Sequence, residues 1–282
     1  MKIEEEYLKN IDELINLAVA EDIYTGDITT EAIIPSVSIT EGYLKSKDEG
    51  IICGLEVAEL VFKKFDTNIV WKNNFKDGDK IYKNSIISVF TGNYKSLLSA
   101  ERIALNFLQR MSAISTKTSK FVNELNNTNT KLLDTRKTLP GFRTLDKYAV
   151  KMGGGTNHRF GLYDLIMIKD NHIDVAGSIT NAVNQVRNKY QNKFKIEVEV
   201  KNLNEVKEAL QLKVDIIMLD NMSIEEMKKA VIIIDNKILT EASGNVTLEK
   251  LKIIAETGVN FISVGALTHS VNAFDIGMYI KK

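Results

Sequence analysis

Residues 195–221, KIEVEVKNLNEVKEALQLKVDIIMLDN, carry the reading that decides the fold. A short apolar run, Lys195–Val200, has Glu199 and Lys201 at its end; a helical pattern follows over Leu203–Leu210; a second run, Val214–Leu219, is closed by Asp220 and Asn221. Two such runs, apolar on both faces and joined by one amphipathic helix, read as parallel strands linked by a crossover. The same unit recurs after Asn129. The other runs are Lys131–Asp134, Leu165–Lys169, Ile238–Glu241 and Phe261–Val264, and further helical patterns cover Ile179–Tyr190, Ile224–Ile233 and Leu248–Thr257. Six strand-then-helix units imply a parallel sheet with helices outside it, either a (β/α) barrel or an open doubly wound sheet.

The strand ends arbitrate. The first run is followed by Asp134-Thr135-Arg136-Lys137, the second by Lys169-Asp170-Asn171-His172, the third by Glu199 and Lys201, the fourth by Asp220-Asn221, the fifth by Glu241-Ala242-Ser243-Gly244 and the sixth by Gly265-Ala266. A barrel gathers all six ends on its C-terminal face, where that fold builds active sites. An open sheet focuses ligands at one crevice. Polar or glycine-rich chemistry at every end favours the barrel.

Before Asn129 the texture differs. Ile3, Tyr7, Leu8, Ile11, Leu14, Ile15, Ala18 and Val19 repeat at helical spacing. Short β-like runs then appear at Gly42–Ser46, Ile51–Cys53, Ile69–Trp71, Ile81–Tyr82 and Ser85–Phe90, with a helix over Leu55–Phe65 among them and a turn at Asp77-Gly78. Ser96–Asn126 is helical again, in two pieces broken near Ser112. This part reads as an α+β domain over 1–112, followed by a barrel domain over 113–282 whose last helix packs back on the first.

Composition narrows the class. The 282 residues carry 37 Lys plus Arg against 37 Asp plus Glu, so no charge excess marks a nucleic-acid surface. No apolar run approaches the 18 or more residues of a membrane span, and the acidic, periodic N-terminus does not read as an export signal. The single Cys53 leaves no internal disulfide and no cysteine zinc site, which suits a reducing cytoplasm. Lys outnumbers Arg 31 to 6, yet five of the six Arg fall between Arg102 and Arg159. The planar Arg fork grips carboxylate or phosphate with two bonds, so this clustering hints at geometric recognition; surface salt bridges are the plain alternative.

Individual motifs carry chemistry with a bland reading beside each. In Leu133–Gly141 two cations adjoin Pro140, which stiffens the loop around an anion or is simply a rigid βα connection with solvated charges. Gly153-Gly154-Gly155-Thr156-Asn157-His158-Arg159 lacks the order of a dinucleotide fingerprint or a P-loop and reads first as a turn. Lys169 ends an apolar run and admits three readings: a structural ion pair, an anion-binding cation, or a Schiff-base lysine of a barrel lyase. Glu199 and Asp220, on adjacent strands, suit Mg²⁺ or sugar hydroxyls, or else a salt bridge with Lys169 or Lys201. Ser243-Gly244-Asn245 and Val264-Gly265-Ala266 lie where barrels bind phosphate. His269 reads as a helix-start or packing residue.

Together, Glu21–Thr30 (EDIYTGDITT), Glu101–Arg110 (ERIALNFLQR), Asp134–Gly141 (DTRKTLPG), Lys147–Arg159 (KYAVKMGGGTNHR), Gly161–Ile173 (GLYDLIMIKDNHI), Glu197–Val200 (EVEV), Ile217–Asn221 (IMLDN), Glu241–Gly244 (EASG) and Val264–Val271 (VGALTHSV) closely resemble the quinolinate phosphoribosyltransferase family. The resemblance implies an N-terminal α/β sandwich and an incomplete (β/α) barrel of about six to seven parallel strands. It implies a homodimer, or a hexamer of such dimers, with each sandwich covering the partner's barrel mouth. The implied reaction joins quinolinate to 5-phosphoribosyl 1-pyrophosphate and releases CO₂ and pyrophosphate; a noncarboxylating relative is the alternative. On this pattern Arg102 is donated across the dimer, Arg136, His158, Arg159 and Lys169 form the quinolinate group, and Thr135 is a further substrate-binding residue. Lys137 lies between the reacting carboxylate and pyrophosphate. Glu199 and Asp220 hold ribose hydroxyls and Mg²⁺, and Ser243, Gly244, Asn245, Val264, Gly265 and Ala266 cradle the ribose phosphate. Asn245 departs from the family, which has a second glycine there; Asn tolerates left-handed backbone better than most residues.

Overall fold

The computed structural model describes residues 5–281, with side chains from Asn10 onward. Ile3 of the opening helical pattern lies outside the described residues, as do the side chains of Tyr7 and Leu8. The first half of the chain runs α1 (Glu5–Ile23), α2 (Ile28–Ile33), β1 (Ile39–Ser46), β2 (Gly50–Ile51), α3 (Leu55–Phe65), β3 (Val70–Asn73), β4 (Lys80–Ile81), β5 (Ile86–Asn93) and α4 (Tyr94–Glu124). The second half alternates: β6 (Lys131–Leu133), α5 (Arg143–Met152), β7 (Ile166–Ile168), α6 (Asp170–Ala176), α7 (Ile179–Tyr190), β8 (Ile196–Val200), α8 (Leu203–Gln211), β9 (Ile216–Asp220), α9 (Ile224–Ile234), β10 (Leu239–Ser243), α10 (Leu248–Ala255), β11 (Phe261–Ser263), α11 (Ala266–His269) and β12 (Ile276–Ile280).

Two compact units result. One comprises the segment ending at Ser119, Thr138–Gly154 and the segment from Leu267 on; the other comprises Lys120–Lys137 and Gly155–Ala266. The boundary expected at 112/113 lies within α4.

In the first unit, an antiparallel sheet has the order β12-β1-β5-β3, and β2 pairs with β4. Phe62, Trp71 and Phe90 form its aromatic core, with ring centroids 4.8–5.0 Å apart. One expectation is corrected here. α4 is one unbroken helix, because Ser112 does not compete with the helix backbone: its buried hydroxyl donates to the Cys53 carbonyl and accepts from the Cys53 amide, both at 3.1 Å. The last helix, α11, groups with this unit from Leu267 on, and a strand follows it. That strand, β12, pairs with β1, because Ile276, Tyr279 and Ile280 favour extended backbone and Tyr279 stacks on its cross-strand partner Tyr43 at 5.4 Å.

The glycine run beside α5 also has a packing explanation. A Cβ on Gly153 would lie 2.4 Å from the Ser115 carbonyl oxygen, so only glycine permits α5 to end against α4 there.

In the second unit, six parallel strands follow the order β6-β11-β10-β9-β8-β7. From β7 to β11 each strand lies beside its predecessor, and β6 then pairs with β11; the order never reverses from a switch point. That is barrel winding, not doubly wound topology. β6 and β7 stand at the two edges and do not pair, so the barrel is incomplete. Val198, Val200, Ile217, Leu219, Ala242 and Ile262 are fully buried in this sheet. Local chemistry sets the connecting helices: Ser223 and Glu226 form a reciprocal capping box at α9, and Asn202 accepts from the Asn204 and Glu205 amides at α8.

Candidate active site

Strand β8 builds the centre of the site. All five residues of Ile-Glu-Val-Glu-Val are buried. Alternation along a strand puts Glu197 and Glu199 on one face and the three aliphatic residues on the other. A run that reads as apolar on both faces therefore carries two carboxylates on the same face.

Glu199, 8% exposed, accepts from Lys169 Nζ at 2.7 Å. Lys169 itself follows β7 and is the N-cap of α6. Of the alternatives the sequence leaves open for Lys169 and Glu199, an ion pair between the two is what the structure displays. Lys201 pairs instead with Asp170 at 3.1 Å.

Below that pair lies a second cluster that sequence reasoning misses. Glu197 and Glu241, both wholly buried, face the His158 ring: Nε2 is 3.1 Å from Glu197 Oε2 and 3.3 Å from Glu241 Oε2. The 7%-exposed imidazole is desolvated, which lowers its pKa, but the two carboxylates outweigh burial, raise it and hold a proton on Nε2. Glu197 is raised above the usual carboxylate range by burial; Glu241's charge adds to this and His158 opposes it. Period-2 alternation in β8 is the signal that could have found Glu197. Glu241 stands in the quoted EASG stretch without a role.

Asp134, fully buried at the end of β6, holds the neighbouring segment in place. Its Oδ2 accepts from Asn157 Nδ2 at 2.6 Å, and its Oδ1 accepts from the His158 amide at 2.9 Å. Thr156 bridges to Leu133 in a parallel sense. His158 and Arg159 are therefore fixed by the end of β6 even though they lie on no strand.

The Arg136 charge acts on Arg159. Arg159 is lowered first by burial and then by the Arg136 charge, and its Nη1 donates to the Leu165 carbonyl at 3.2 Å. Arg136 Nε is buried and has no hydrogen-bond partner among the described residues. A buried guanidinium donor without an acceptor, within reach of a second guanidinium's charge, is the arrangement an anionic ligand satisfies. Thr135 Oγ1 accepts from the exposed Lys137 amide at 3.1 Å.

Asp220 ends β9 and accepts from Asn221 Nδ2 at 2.8 Å. Asn221 in turn accepts from Asn245 Nδ2 at 3.1 Å, and its amide donates to the Ser243 carbonyl at 2.9 Å. Asn221, Gly244 and Asn245 all have positive φ, at 52°, 98° and 48°. Gly244, at φ 98°, holds a backbone conformation that L side chains rarely adopt, and a Cβ there would also displace the Asn221 amide. Asn245 adopts the left-handed backbone that Asn tolerates better than most residues. Val264 donates its amide to the Leu133 carbonyl at 3.0 Å, and Gly265 leads into α11.

Arg102 lies exposed on α4 in the first unit. Arg110, counted in the sequence's Arg cluster, has a different use: its fork grips the fully buried Asp146 with two bonds, at 2.9 and 2.6 Å, and its Nη2 also donates to the Thr268 carbonyl.

Comparison with known proteins now places the chain. Profiles of the quinolinate phosphoribosyl transferase N-terminal and C-terminal domains match residues 27–112 and 114–279. A probable nicotinate-nucleotide pyrophosphorylase [carboxylating] of Bacillus subtilis is 43% identical, covering 95% of this chain and 92% of that protein. A quinolinate phosphoribosyltransferase [decarboxylating] of Nicotiana glauca is 42% identical, covering 95% of this chain and 81% of that one. The solved structure of the Francisella tularensis nicotinate-nucleotide pyrophosphorylase superposes with a TM-score of 0.93 at 42% identity, over 97% of this chain and 96% of that one. With both domain profiles matched along the chain, and relatives sharing over two-fifths of its residues, the protein belongs to the quinolinate phosphoribosyl transferase family.

Proposed function

We propose that the protein transfers the phosphoribosyl group of 5-phosphoribosyl 1-pyrophosphate to quinolinate with decarboxylation, giving nicotinate mononucleotide, CO₂ and pyrophosphate, a step of NAD biosynthesis. The observation that carries this reading beyond family membership is the buried Arg136 Nε that lacks an acceptor, on a guanidinium whose charge also acts on Arg159. A pyridine dicarboxylate supplies acceptors of matching charge.

In this reading Arg136, His158, Arg159 and Lys169 form the quinolinate group, with Thr135 beside them. They hold the acceptor so that its ring nitrogen faces the anomeric carbon. The nitrogen lone pair forms the new C–N bond as the bond to pyrophosphate breaks, and Lys137 offsets charge on the departing group. Glu199 and Asp220 bind the ribose hydroxyls and stabilise the oxocarbenium-like sugar. Glu199 is released to do so when Lys169 turns from it to a substrate carboxylate. The positive charge of the quaternised ring nitrogen then stabilises the electron pair left on the neighbouring ring carbon as its carboxylate departs as CO₂, and that pair takes up a proton. Ser243, Gly244, Asn245, Val264, Gly265 and Ala266 take the ribose phosphate.

Glu199 and Asp220 also fit Mg²⁺, which prefers one or two carboxylates together with phosphate oxygens. Bound there, it would supply charge neutralisation at the pyrophosphate. The assembly in this reading is a homodimer, or a hexamer built from such dimers, with Arg102 completing the partner's site. No helix among the described residues is long and apolar enough to cross a membrane. The Bacillus subtilis relative supports a cytoplasmic enzyme, whereas the Nicotiana tabacum relatives include proteins named as mitochondrial. A Schiff-base lyase is disfavoured, because Lys169 Nζ is engaged by Glu199.

Substrate exchange tests the reading. Quinolinate is expected to be turned over and nicotinate not; efficient turnover of nicotinate without CO₂ would move the protein to the noncarboxylating class. R136A and R159A are each expected to weaken quinolinate binding about tenfold or more, the worth of one charge-assisted contact.

A further inference from the structure

The buried pair Glu197 and Glu241 has no part in the mechanism above, although four buried carboxylate oxygens without hydrogen-bond partners need a reason. His158 meets both of them through Nε2, and Glu197 also feels the Arg159 charge. The other ring nitrogen is occupied too: the Arg159 amide lies 2.6 Å from Nδ1 and donates to it. Both nitrogens of His158 thus face the protein. What the ring controls directly is the backbone at Arg159, whose side chain belongs to the acceptor pocket.

A shared metal ion is the first alternative, since the His158, Glu197 and Glu241 donor atoms lie within 4.8 Å of one another. A histidine that ligates through Nε2 carries its proton on Nδ1 and donates from there. Here Nδ1 accepts from the Arg159 amide, so the ring's proton is the one on Nε2, facing the two carboxylates, and no lone pair is left there for a metal. A purely structural salt bridge is the second alternative. It does not account for the placement: Asp134 already secures the His158 amide from the other side, and the ring then adds a second hold on the very next residue.

We propose that Glu197 and Glu241 are positioning residues of the acceptor pocket, which seat the His158 ring so that its Nδ1 fixes the backbone at Arg159 and aims that guanidinium at a substrate carboxylate. His158 thus takes its part in the quinolinate group through Arg159, since both of its ring nitrogens are turned to the protein. The inference rests on the quinolinate reading of the pocket; turnover of quinolinate by the parent enzyme checks that reading separately, before any variant is compared.

The test separates reach from charge. E197D and E241D keep the charge but withdraw it by one methylene, while E197Q and E241Q keep the reach and can still accept from Nε2. Steady-state kinetics are expected to show KM for quinolinate raised about tenfold in the Asp variants. KM for the phosphoribosyl donor should stay within about twofold, and the Gln variants within about threefold of the parent on both substrates. In an R159A background the Asp substitutions are expected to lose their effect, because the residue they act through is gone. H158Q, which still meets the carboxylates but gives up the contact at Nδ1, provides the same comparison if an Asp variant does not fold. Asp variants indistinguishable from the parent would overturn the proposal. So would Gln variants as impaired as the Asp ones, parallel loss for both substrates, effects that add fully to R159A, or stoichiometric zinc or manganese in the parent that is absent from E241Q.

Discussion

Removing the Asp134 carboxylate is the sharpest perturbation of the link between fold and site. The side chain is fully buried and takes two charge-assisted hydrogen bonds, from Asn157 Nδ2 at 2.6 Å and from the His158 amide at 2.9 Å. In D134A both are lost, and a buried backbone donor is left without its acceptor. A hydrogen bond to a charged group contributes about 1.5–3 kcal/mol, and an orphaned buried donor costs about 1–3 kcal/mol. Because these terms overlap, the expected loss is about 3–5 kcal/mol. At about 2–4 °C per kcal/mol for chains of this size class, D134A should melt at least about 6 °C below the parent. D134N keeps one oxygen for the His158 amide and turns its NH₂ toward Asn157, which relaxes by an amide flip; its loss should be about 1–2 kcal/mol. Differential scanning calorimetry of the three proteins gives the order parent, D134N, D134A. Quinolinate KM should follow the same order, since the anchored segment carries His158 and Arg159. A D134A protein melting within about 2 °C of the parent would refute the reasoning, as would a D134N protein as damaged as D134A.

R110M and D146L are each expected to lose about 3–5 kcal/mol by stranding one member of a buried ion pair, while the double variant recovers most of it; chemical denaturation of the four proteins closes the cycle. Asp27 caps α2, and its pKa is lowered first by its hydrogen bonds to Thr30. A depressed folded-state pKa stabilises above the unfolded value, near 3.8, and this contribution is lost as pH falls through the folded value. D27A should therefore melt below the parent near neutral pH, and melting curves should converge below about pH 3; a constant gap would contradict the assignment. Mixing R102A with R136A should restore up to about a quarter of parental activity, because half of randomly exchanged dimers are hybrids and one of the two sites in each is intact. No recovery despite subunit exchange measured by mass spectrometry would exclude donation of Arg102 across a dimer.

The architecture of the second unit is legible because its six apolar runs are short, separated by capped helices and closed by polar residues. Leu55–Phe65 and Ile179–Tyr190 are read to the residue, since strong apolar periodicity ends in each case where the local chemistry changes. The failures have physical causes. Ser112 looks like a break in α4, but its hydroxyl satisfies the neighbouring Cys53 backbone, a pairing over 59 residues of chain that local propensity does not reveal. The closing strand β12 depends on β1 as its pairing partner, more than 230 residues earlier. In the site, exposed cations at strand ends announce themselves, whereas Glu197 and Glu241 are hidden inside strands that read as apolar. The Arg cluster is only partly a ligand signal. The Arg136 charge acts on Arg159 in the pocket, but Arg110 uses the same forked geometry on Asp146.

The central claim is decarboxylating phosphoribosyl transfer, and product stoichiometry tests it most directly. The purified protein is incubated with Mg²⁺, 5-phosphoribosyl 1-pyrophosphate and quinolinate labelled in the carboxylate next to the ring nitrogen. Labelled CO₂ and pyrophosphate should appear in equal amounts, matched by nicotinate mononucleotide free of label. Pyrophosphate without labelled CO₂, or a nucleotide that retains the label, would contradict the account.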